Sequence, residues 1–398
     1  MPRKRNFQNC GEGVLVVSSR LIVAVVGVEH PETGGAYNAE TLMLGQIKKS
    51  LDEHEIIIIK PRKTFARPIE NFRRLSDFLR SLYFHINSNT LIWLLSQRFY
   101  WIPPSKFERE LLRRNVDLVF FVGPYKRAIE LKRIPFIATI WDLGHRDLSA
   151  LPEMSKNREF ELRELIIRNL GLKASAVIVD SDLTKTKLQT YYGLDHSKVH
   201  SLPFAPSLRV GSLEIERESF ALYPAHYWSH KNHIVLFRAI AKLLSEGKKP
   251  RQLKLTGQDR GNLNYLGRKA DEIGISEYID FLGFIPQPEL HSLYRRAAIV
   301  LMPSLLGPTN IPPLESLLLG CPVAVTPKAR ENLAEWPGVI ELDGSDIDGW
   351  SKLLDSSSNL PKVEIPTIEN YVSAVETSNI TKLTSMFRDF KNMKSTYS

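Results

Sequence analysis

The sequence predicts an α/β protein with two Rossmann-like, doubly wound parallel-sheet domains that face each other across a cleft. The first observation is the length of 398 residues, which exceeds what one compact core usually holds. The second is the alternation of short apolar, β-branched runs with amphipathic helical stretches. The third is the position of the unusual polar segments, which follow predicted strands directly. Doubly wound folds bind ligands at that edge of the sheet.

Apolar runs of strand length occur in both halves of the chain. In the first half the predicted strands are Leu21–Val28, Ile56–Ile59, Leu118–Phe121, Phe136–Ile140 and Ala176–Val179. In the second half they are Ser219–Tyr223, Gln252–Leu255, Ile279–Phe281, Ile299–Met302 and Pro322–Val325. Stretches with apolar residues three and four positions apart separate most of these strands, for example His233–Leu244 and Leu290–Ala297.

The boundary between the two domains is predicted in Pro203–Ser212, where prolines, serines and a glycine interrupt the periodicity. Residues 1–207 then form the first domain and residues 208–380 the second. Residues 381–398 form a C-terminal segment, in which Thr381–Lys391 has the pattern of a final helix. This helix could pack back on the first domain.

The composition is that of an ordinary globular protein, with 43% apolar and 24% charged residues. The two cysteines, Cys10 and Cys321, lie too far apart in the sequence for a metal-type spacing, which is typical of a reduced cytoplasmic protein. The longest clean apolar run, Leu21–Val28, has the length of a strand and is too short to span a membrane. We therefore expect a cytoplasmic protein.

The net charge of +9 belongs to the first half of the chain. Residues 1–200 contain 31 basic and 22 acidic side chains, whereas residues 201–398 contain 22 of each. This asymmetry predicts an acidic partner, and an anionic membrane surface or acceptor is favoured because no nucleic-acid-binding motif is present. Phe65–Phe84 has the apolar spacing and arginines of a helix lying on the inner face of a membrane. Packing of that helix on its own domain explains the pattern equally well.

The run from Ser304 to Glu315 is the most informative segment of the sequence. A loop containing glycine and proline leads into a short apolar helix that ends near Gly320 and carries one acid, Glu315, about one turn from its start. The unpaired N–H groups and the positive dipole end of such a helix favour a diphosphate. An acid just inside the helix can accept hydrogen bonds from a ribose diol. The alternative is an ordinary loop–helix junction.

Two segments of the first half have residues suited to a cleft. Gly34 and Gly35 precede a helix and would let the backbone approach a ligand closely. Asp142, His145 and Arg146 follow the strand Phe136–Ile140, where an acid can bind a sugar hydroxyl and a histidine can bind a hydroxyl or a phosphate. A simple turn and a salt-bridged surface loop are the respective alternatives.

The second half has a dense polar segment after its first strand, from Tyr223 to His233. Lys231 lies at a helix entrance and suits a phosphate as a compact point charge. Metal binding by His226 and His230 is disfavoured, because no third ligand follows at a metal-type spacing. Two further strand ends are candidates for a nucleotide. The residues concerned are Gly257, whose lack of a side chain permits close packing, and Phe284 with Ile285, whose backbone could bond a base edge.

Together and in this order, these segments resemble the retaining glycosyltransferases of family 4, the glycosyl transferases group 1, which have the GT-B fold. The resemblance covers roughly Val25 to Thr326. Its most specific parts are Tyr223–Asn232, Leu255–Asn262, Phe281–Ile285 and Gly307–Val323. The version Gly-Pro-Thr-Asn-Ile-Pro-Pro-Leu-Glu is similar to a subgroup associated with polysaccharide or O-antigen assembly.

The resemblance implies a role for each matching residue. Lys231 would stabilise the donor diphosphate, while Asp142 and His145 would line the sugar and acceptor side in the first domain. Residues implied to contact the nucleotide sugar are Gly34, Gly35, His226, Gly257, Phe284, Ile285, Thr309, Asn310, Ile311, Leu314 and Glu315. Two positions depart from the family pattern: Gly307 stands where an acid is usual, and His226 stands where an arginine is usual. Asn310 or Thr309 is expected to supply the lost sugar contact.

The implied function is transfer of a hexosyl group from a nucleoside-diphosphate sugar to a hydroxyl of a saccharide or lipid-linked acceptor. The donor would be GDP-mannose or a UDP- or dTDP-hexose, and the anomeric configuration would be retained. Neither a metal nor any other cofactor is expected, and the donor is a substrate. A sugar-nucleotide epimerase of the same fold and a catalytically silent nucleotide-sugar-binding subunit are the alternatives.

Overall fold

The computed structural model describes residues 20–27, 35–60, 104–206, 208, 217–307, 311–327 and 336–397. They form two six-stranded sheets, one from each half of the chain, and all strand pairs named below are parallel. The predicted α/β fold with two doubly wound sheets is confirmed. The proposed membrane-surface helix Phe65–Phe84 lies outside the described residues. Within the described ranges, no helix is both long enough and apolar enough to cross a bilayer.

The first sheet has the spatial order β2-β1-β3-β4-β5-β6 and the second has the order β12-β11-β10-β7-β8-β9. The first contains β1 (Ile22–Val26), β2 (Glu55–Ile59), β3 (Leu118–Phe121), β4 (Phe136–Ile140), β5 (Ala176–Val179) and β6 (Val199–Ser201). The second contains β7 (Phe220–Pro224), β8 (Gln252–Thr256), β9 (Ile279–Gly283), β10 (Ile299–Met302), β11 (Val323–Val325) and β12 (Val339–Glu341). The strand order reverses between β1 and β3 and again between β7 and β10, where doubly wound sheets open a crevice.

The predicted strands are all present, with ends shifted by at most two residues. Central strands such as β3 and β4 are buried at every position, because helices cover both faces of a parallel sheet. The sequence prediction missed β6 and β12. Each has only three residues, too few for a periodic pattern.

Helices follow most strands and cover both sheets. In the first half they are α1 (Gly35–Ser50), α2 (Lys106–Arg113), α3 (Gly144–Asp147), α4 (Pro152–Ser155), α5 (Glu159–Lys173) and α6 (Asp182–Tyr192). In the second half they are α7 (His233–Ser245), α8 (Leu263–Glu272), α9 (Gln287–Arg296), α10 (Ile311–Leu318), α11 (Ile347–Leu354) and α12 (Ile365–Tyr397).

The final helix, α12, is longer than the sequence predicted, because it begins at Ile365 and not at Thr381. It packs against both α1 and α10. The Phe387 ring contacts Phe120 of the first sheet at a centroid distance of 6.2 Å, and Asn379 Nδ2 donates to the Pro203 carbonyl at 2.8 Å. Ile311, the first residue of α10, is buried in this same cluster. The start of α10 is therefore held by the core of the first half.

Candidate active site

Lys231 lies where the strand order of the second sheet reverses, between the carboxyl ends of β7 and β10. It closes a short 3-10 turn, Ser229–Lys231, that follows β7. Its Nζ lies 3.4 Å from Oγ of Ser304, which follows β10. Burial lowers the pKa of Lys231 to about 8, and the nearby charge of Asp142 opposes this effect. The Lys231 side chain is still partly exposed, so an anion from solvent could reach this ammonium group, which has lost much of its water.

The backbone around Lys231 is tied down on both sides of the residue. The Tyr223 hydroxyl donates to the Lys231 carbonyl at 2.6 Å. Asn232 adopts a left-handed conformation with φ of 55°, and its Nδ2 donates to the carbonyls of Pro303 and Gly344 at 3.2 and 2.8 Å. These bonds explain why an asparagine follows the lysine, since asparagine tolerates this conformation and supplies the amide donor.

Glu315 lies in the middle of α10 and is only 5% exposed. Its Oε1 accepts from Gln287 Nε2 at 3.1 Å and its Oε2 accepts from the Tyr294 hydroxyl at 3.3 Å. Burial raises the pKa of Glu315 to about 7, although both hydrogen bonds favour the ionised form. A carboxylate in this state is ready to accept donors from a ligand. Sequence reasoning missed Gln287 and Tyr294, which hold it.

The other predicted residues of this loop and helix have mixed outcomes. Ile311 and Leu314 are buried in the core, so their side chains stabilise the helix and only their backbone groups could face a ligand. Thr309 and Asn310 lie outside the described residues, as does Gly34. Gly35 is the first residue of α1.

The ends of β7, β8 and β9 bring together His226, Gly257 and Phe284. Nδ1 of His226 accepts from the Gln258 amide at 2.9 Å, which places the proton of the neutral ring on Nε2. Phe284 is 44% exposed and Ile285 is half-buried, so both are accessible beside this edge. Packing also requires a glycine at position 257, because a Cβ there would lie 2.6 Å from the Ala225 carbonyl carbon and 2.7 Å from His226 Cα.

The first half contributes Asp142, which follows β4. Its Oδ1 accepts from the Gly144 amide at 2.8 Å and from Arg163 of α5 at 3.1 Å. The Asp142 charge partly opposes the lowering of the Lys231 pKa by burial, so Asp142 of the first half lies within electrostatic range of Lys231 in the second. Arg163 was not recognised in the sequence, because nothing local distinguishes it from other helical arginines.

His145 lies in the short helix α3 after β4 and is fully buried, in contrast to the accessible side chain that the sequence suggested. Its Nε2 lies 3.0 Å from Oε1 of Glu164 and 3.2 Å from the Tyr192 hydroxyl, and burial lowers its pKa. Nδ1 is buried without a hydrogen-bond partner. Arg146 forms two bonds of 2.6 Å to the same Glu164, so this arginine supports the loop.

Two contacts connect the halves directly at this site. The backbone N–H and the ring Nδ1 of His230 both lie 2.8 Å from Oε1 of Glu153 in α4. Leu306 contacts Gly144, where an added Cβ would collide with its side chain. The sequence prediction missed Glu153, since Pro-Glu at a helix start is common and the partner is distant in sequence.

The geometry offers no preformed metal centre among the described residues, where no three His, Cys, Asp or Glu side chains converge. The ring Nδ1 atoms of His226 and His230 are both engaged with protein partners. What the site does offer is a lysine, a helix start, a buried carboxyl group and an exposed aromatic ring, arranged along one sheet edge.

Residues 206–335 match the family model of glycosyl transferases group 1. The chain is 26% identical over 239 residues to D-inositol 3-phosphate glycosyltransferase of Mycobacterium sp. (strain KMS), covering 56% of this chain and 53% of that protein. It is 34% identical over 128 residues to the enzyme of that name from Corynebacterium jeikeium, covering 30% of each. The chain thus spans about half the length of the first of these relatives.

Solved structures are similar over nearly the whole chain. Sucrose-phosphate synthase from Thermosynechococcus elongatus has a TM-score of 0.62 at 12% identity, covering 95% of this chain and 100% of that one. HepE from Anabaena in complex with UDP has a TM-score of 0.53 at 16% identity, covering 94% and 100%. At such identities the similarity shows the fold alone, and the predicted GT-B fold is confirmed. The expected resemblance to glycosyl transferases group 1 is confirmed on residues 206–335.

Replacing Gly257 by alanine is expected to lower the free energy of unfolding of the second half by about 2–4 kcal/mol, because the new Cβ meets backbone atoms of Ala225 and His226, directly after β7. Gly274→Ala is the control, since Gly274 also has a positive φ of 71° but no atom near the added Cβ. It should cost about 1–2 kcal/mol. Urea denaturation of both variants measures the difference, and equal losses would contradict the crowding argument.

Proposed function

We propose that this protein transfers a hexosyl group from a nucleoside-diphosphate sugar to a hydroxyl of a saccharide or lipid-linked acceptor, with retention at the anomeric carbon. The observation that carries the proposal is the placement of Lys231, a largely desolvated cation at the strand-order reversal of a GT-B sheet, with its Nζ beside the Ser304 hydroxyl. The match of residues 206–335 to glycosyl transferases group 1 supports it.

In this proposal Lys231 binds the donor diphosphate. A dianion beside Lys231 raises the pKa of the ammonium group again, so the lysine is charged in the complex. The amides at the start of α10 add the positive end of a helix dipole. Lysine and backbone dipoles then stabilise the leaving diphosphate, and no metal is needed for that purpose.

Glu315 is proposed to accept hydrogen bonds from the ribose diol, with Gln287 and Tyr294 holding its carboxylate in place. Phe284, Ile285 and the crowded turn at Gly257 would hold the base. His226 replaces the usual arginine and can donate only from Nε2 when neutral, and Gly307 offers no carboxylate to the sugar. Asn310 or Thr309 is proposed to make the sugar contact. HepE was crystallised with UDP and with UDP-glucose, which supports a diphosphate donor here.

The acceptor is proposed to approach from the first half, beside Asp142 and the loop that His145 supports. In a retaining transfer the acceptor enters on the face from which the diphosphate leaves, so a diphosphate oxygen can take the acceptor proton. The protein then contributes positioning and charge stabilisation, and needs no pair of carboxylates as hydrolases do.

The basic first half is further proposed to contact an anionic membrane on its cytoplasmic face. Absence of flotation with anionic liposomes at low salt would refute this membrane proposal.

The function itself is tested in two steps. A thermal-shift screen against UDP, GDP, dTDP and their sugars should identify the donor, because a ligand of the native state raises the melting temperature. Nucleoside diphosphate should then be released from that donor only when an acceptor is supplied. Release or epimerisation without an acceptor supports the epimerase, whereas tight binding without turnover across an acceptor panel supports the silent subunit.

Replacing Lys231 by alanine is expected to reduce kcat about 10²–10³-fold, because the leaving diphosphate loses its nearest cation. The matched control is Lys269→Ala, which removes a lysine near the end of α8 whose salt bridge within the described part of the chain is to Glu272. It should leave turnover unchanged. Steady-state kinetics at saturating donor measures both variants, and near-wild-type turnover of Lys231→Ala would refute the assignment.

Donor binding is expected to depend on pH with an optimum between the pKa of Glu315, about 7, and that of Lys231, about 8. Below the optimum, protonated Glu315 cannot accept both ribose hydroxyls, so the donor Kd rises up to about tenfold per pH unit. Above it, Lys231 loses its charge and the Kd rises again. Isothermal titration calorimetry across this range measures the profile.

Two variants assign the limbs of that profile. Glu315→Gln should flatten the acid limb, because the amide does not titrate, and Lys231→Ala should remove the basic limb. An acid limb that persists in Glu315→Gln would show that another group titrates. The corresponding control is Glu289→Gln in the first turn of α9, which should leave both limbs in place.

A further inference from the structure

Glu153 lies in the first half of the chain but bonds the turn that carries Lys231 in the second half. Its Oε1 lies 2.8 Å from the backbone nitrogen of His230 and 2.8 Å from the ring Nδ1 of the same residue. The Glu153 side chain is 7% exposed and the His230 side chain 12% exposed. Both donors therefore bind one carboxylate oxygen in a shielded environment, where hydrogen bonds to a charged group are strong.

The protonation states of the pair are set by their surroundings. Burial opposes ionisation of Glu153, but several favourable interactions, led by the two bonds from His230, together lower the pKa of Glu153 to about 2. Burial also lowers the pKa of His230, although Glu153 opposes this. At neutral pH the pair is therefore a carboxylate and a neutral imidazole with its proton on Nδ1.

The remaining anchors of this turn come from the second half. The His230 carbonyl accepts from the Leu305 amide at 2.8 Å, and the Lys231 carbonyl accepts from the Tyr223 hydroxyl at 2.6 Å. On the other side of the turn, the Trp228 ring stacks on His230 at 6.3 Å, and the Arg260 guanidinium lies 5.7 Å from the Trp228 ring. Among all the contacts named for this turn, the one with Glu153 connects the turn to the first half of the chain.

We infer that Glu153 is a positioning residue that holds the loop after β4 in the first half against the turn that carries Lys231 in the second half. The inference rests on the proposed function and adds to it the residue that sets the approach of the acceptor side to the donor side. Most of the proposed donor contacts lie in the second half, where bonds from Leu305 and Tyr223 still hold the Lys231 turn, so donor binding is expected to survive loss of Glu153. Transfer needs both halves, and a displacement of about 1 Å between reacting groups can cost about 10²-fold in rate.

The experiment compares Glu153→Ala with Glu153→Gln and with the control Glu161→Ala, which removes an exposed acid in the first turn of α5. We expect Glu153→Ala to lower kcat about 10–100-fold while the Kd of the nucleoside diphosphate, measured by calorimetry, changes less than about threefold. Glu153→Gln should retain most of the activity because its amide oxygen can accept both donors. Adding His230→Ala to Glu153→Ala should cause no further loss beyond Glu153→Ala alone, because Glu153→Ala already removes both the ring bond and the backbone bond.

A second measurement does not depend on activity. Spin labels on cysteines placed at the exposed positions Gln189 and Arg268, in a Cys10→Ser background, report the distance between the halves by pulsed electron resonance. Cys321 is buried and can stay. With nucleoside diphosphate bound, the wild-type protein and the Glu161→Ala control should each give one narrow distance distribution. The Glu153→Ala variant should give a broader distribution that is shifted to longer distances.

An unchanged distance distribution in Glu153→Ala overturns the inference, as does a kcat within about twofold of the wild type. A weakened nucleotide Kd with unchanged kcat also overturns it, because Glu153 would then serve donor binding. If the wild-type protein transfers no sugar at all, the proposed function fails. The distance measurement still decides whether Glu153 holds the two halves together.

Discussion

The structure depends on one unfavourable arrangement: a lysine ammonium group placed where protein atoms replace most of its water. Lys231 lies at the strand-order reversal between β7 and β10, where a doubly wound sheet opens a crevice and a buried group can still be reached by a ligand. Burial lowers the pKa of Lys231 because the ammonium group has lost most of its water. The turn is fixed by hydrogen bonds of Tyr223 and Asn232, the latter reaching Gly344. These bonds keep the lysine in place, because a mobile turn would let the ammonium group move out into solvent.

The same requirement explains why the two halves share elements. The start of α10, which is the proposed anion-binding end, is anchored by Ile311 in the core of the first half, and α12 packs across α1 and α10. At the cleft itself, Glu153 bonds the turn before Lys231. The proposed nucleotide site on the second sheet is thus connected to the first half at three separate places, which would fix the proposed acceptor side relative to the donor side as group transfer requires.

The sequence predicted both sheets because buried parallel strands read as continuous apolar runs, and it predicted Lys231 and Glu315 because each follows a strand–loop–helix pattern with a physical reason. It could not predict which distant residues hold Glu315 and the turn before Lys231 in place. Glu153 and His230 are 77 positions apart, and Gln287 reaches Glu315 from a separate helix. His145 shows the opposite error: its position after β4 was right, but local sequence does not show that Glu164 and Tyr192 bury it. Periodicity reports which element a residue occupies, whereas the partner across a cleft is decided by packing of the elements.

Two acidic residues of the first half lie near the turn that carries Lys231. Asp142 and Glu153 both face the lysine-bearing turn, and two carboxylates near one ammonium group could simply neutralise it. Instead Asp142 shares its oxygen with Arg163 and the Gly144 amide, and Glu153 is bonded twice by His230. Each acid is thus stabilised by donors of its own, and Lys231 forms its described hydrogen bond with the neutral Ser304 hydroxyl. The acids fix the geometry of the cleft, and the lysine charge stays available for an anionic ligand. A doubly negative diphosphate satisfies that charge better than any group the described residues provide.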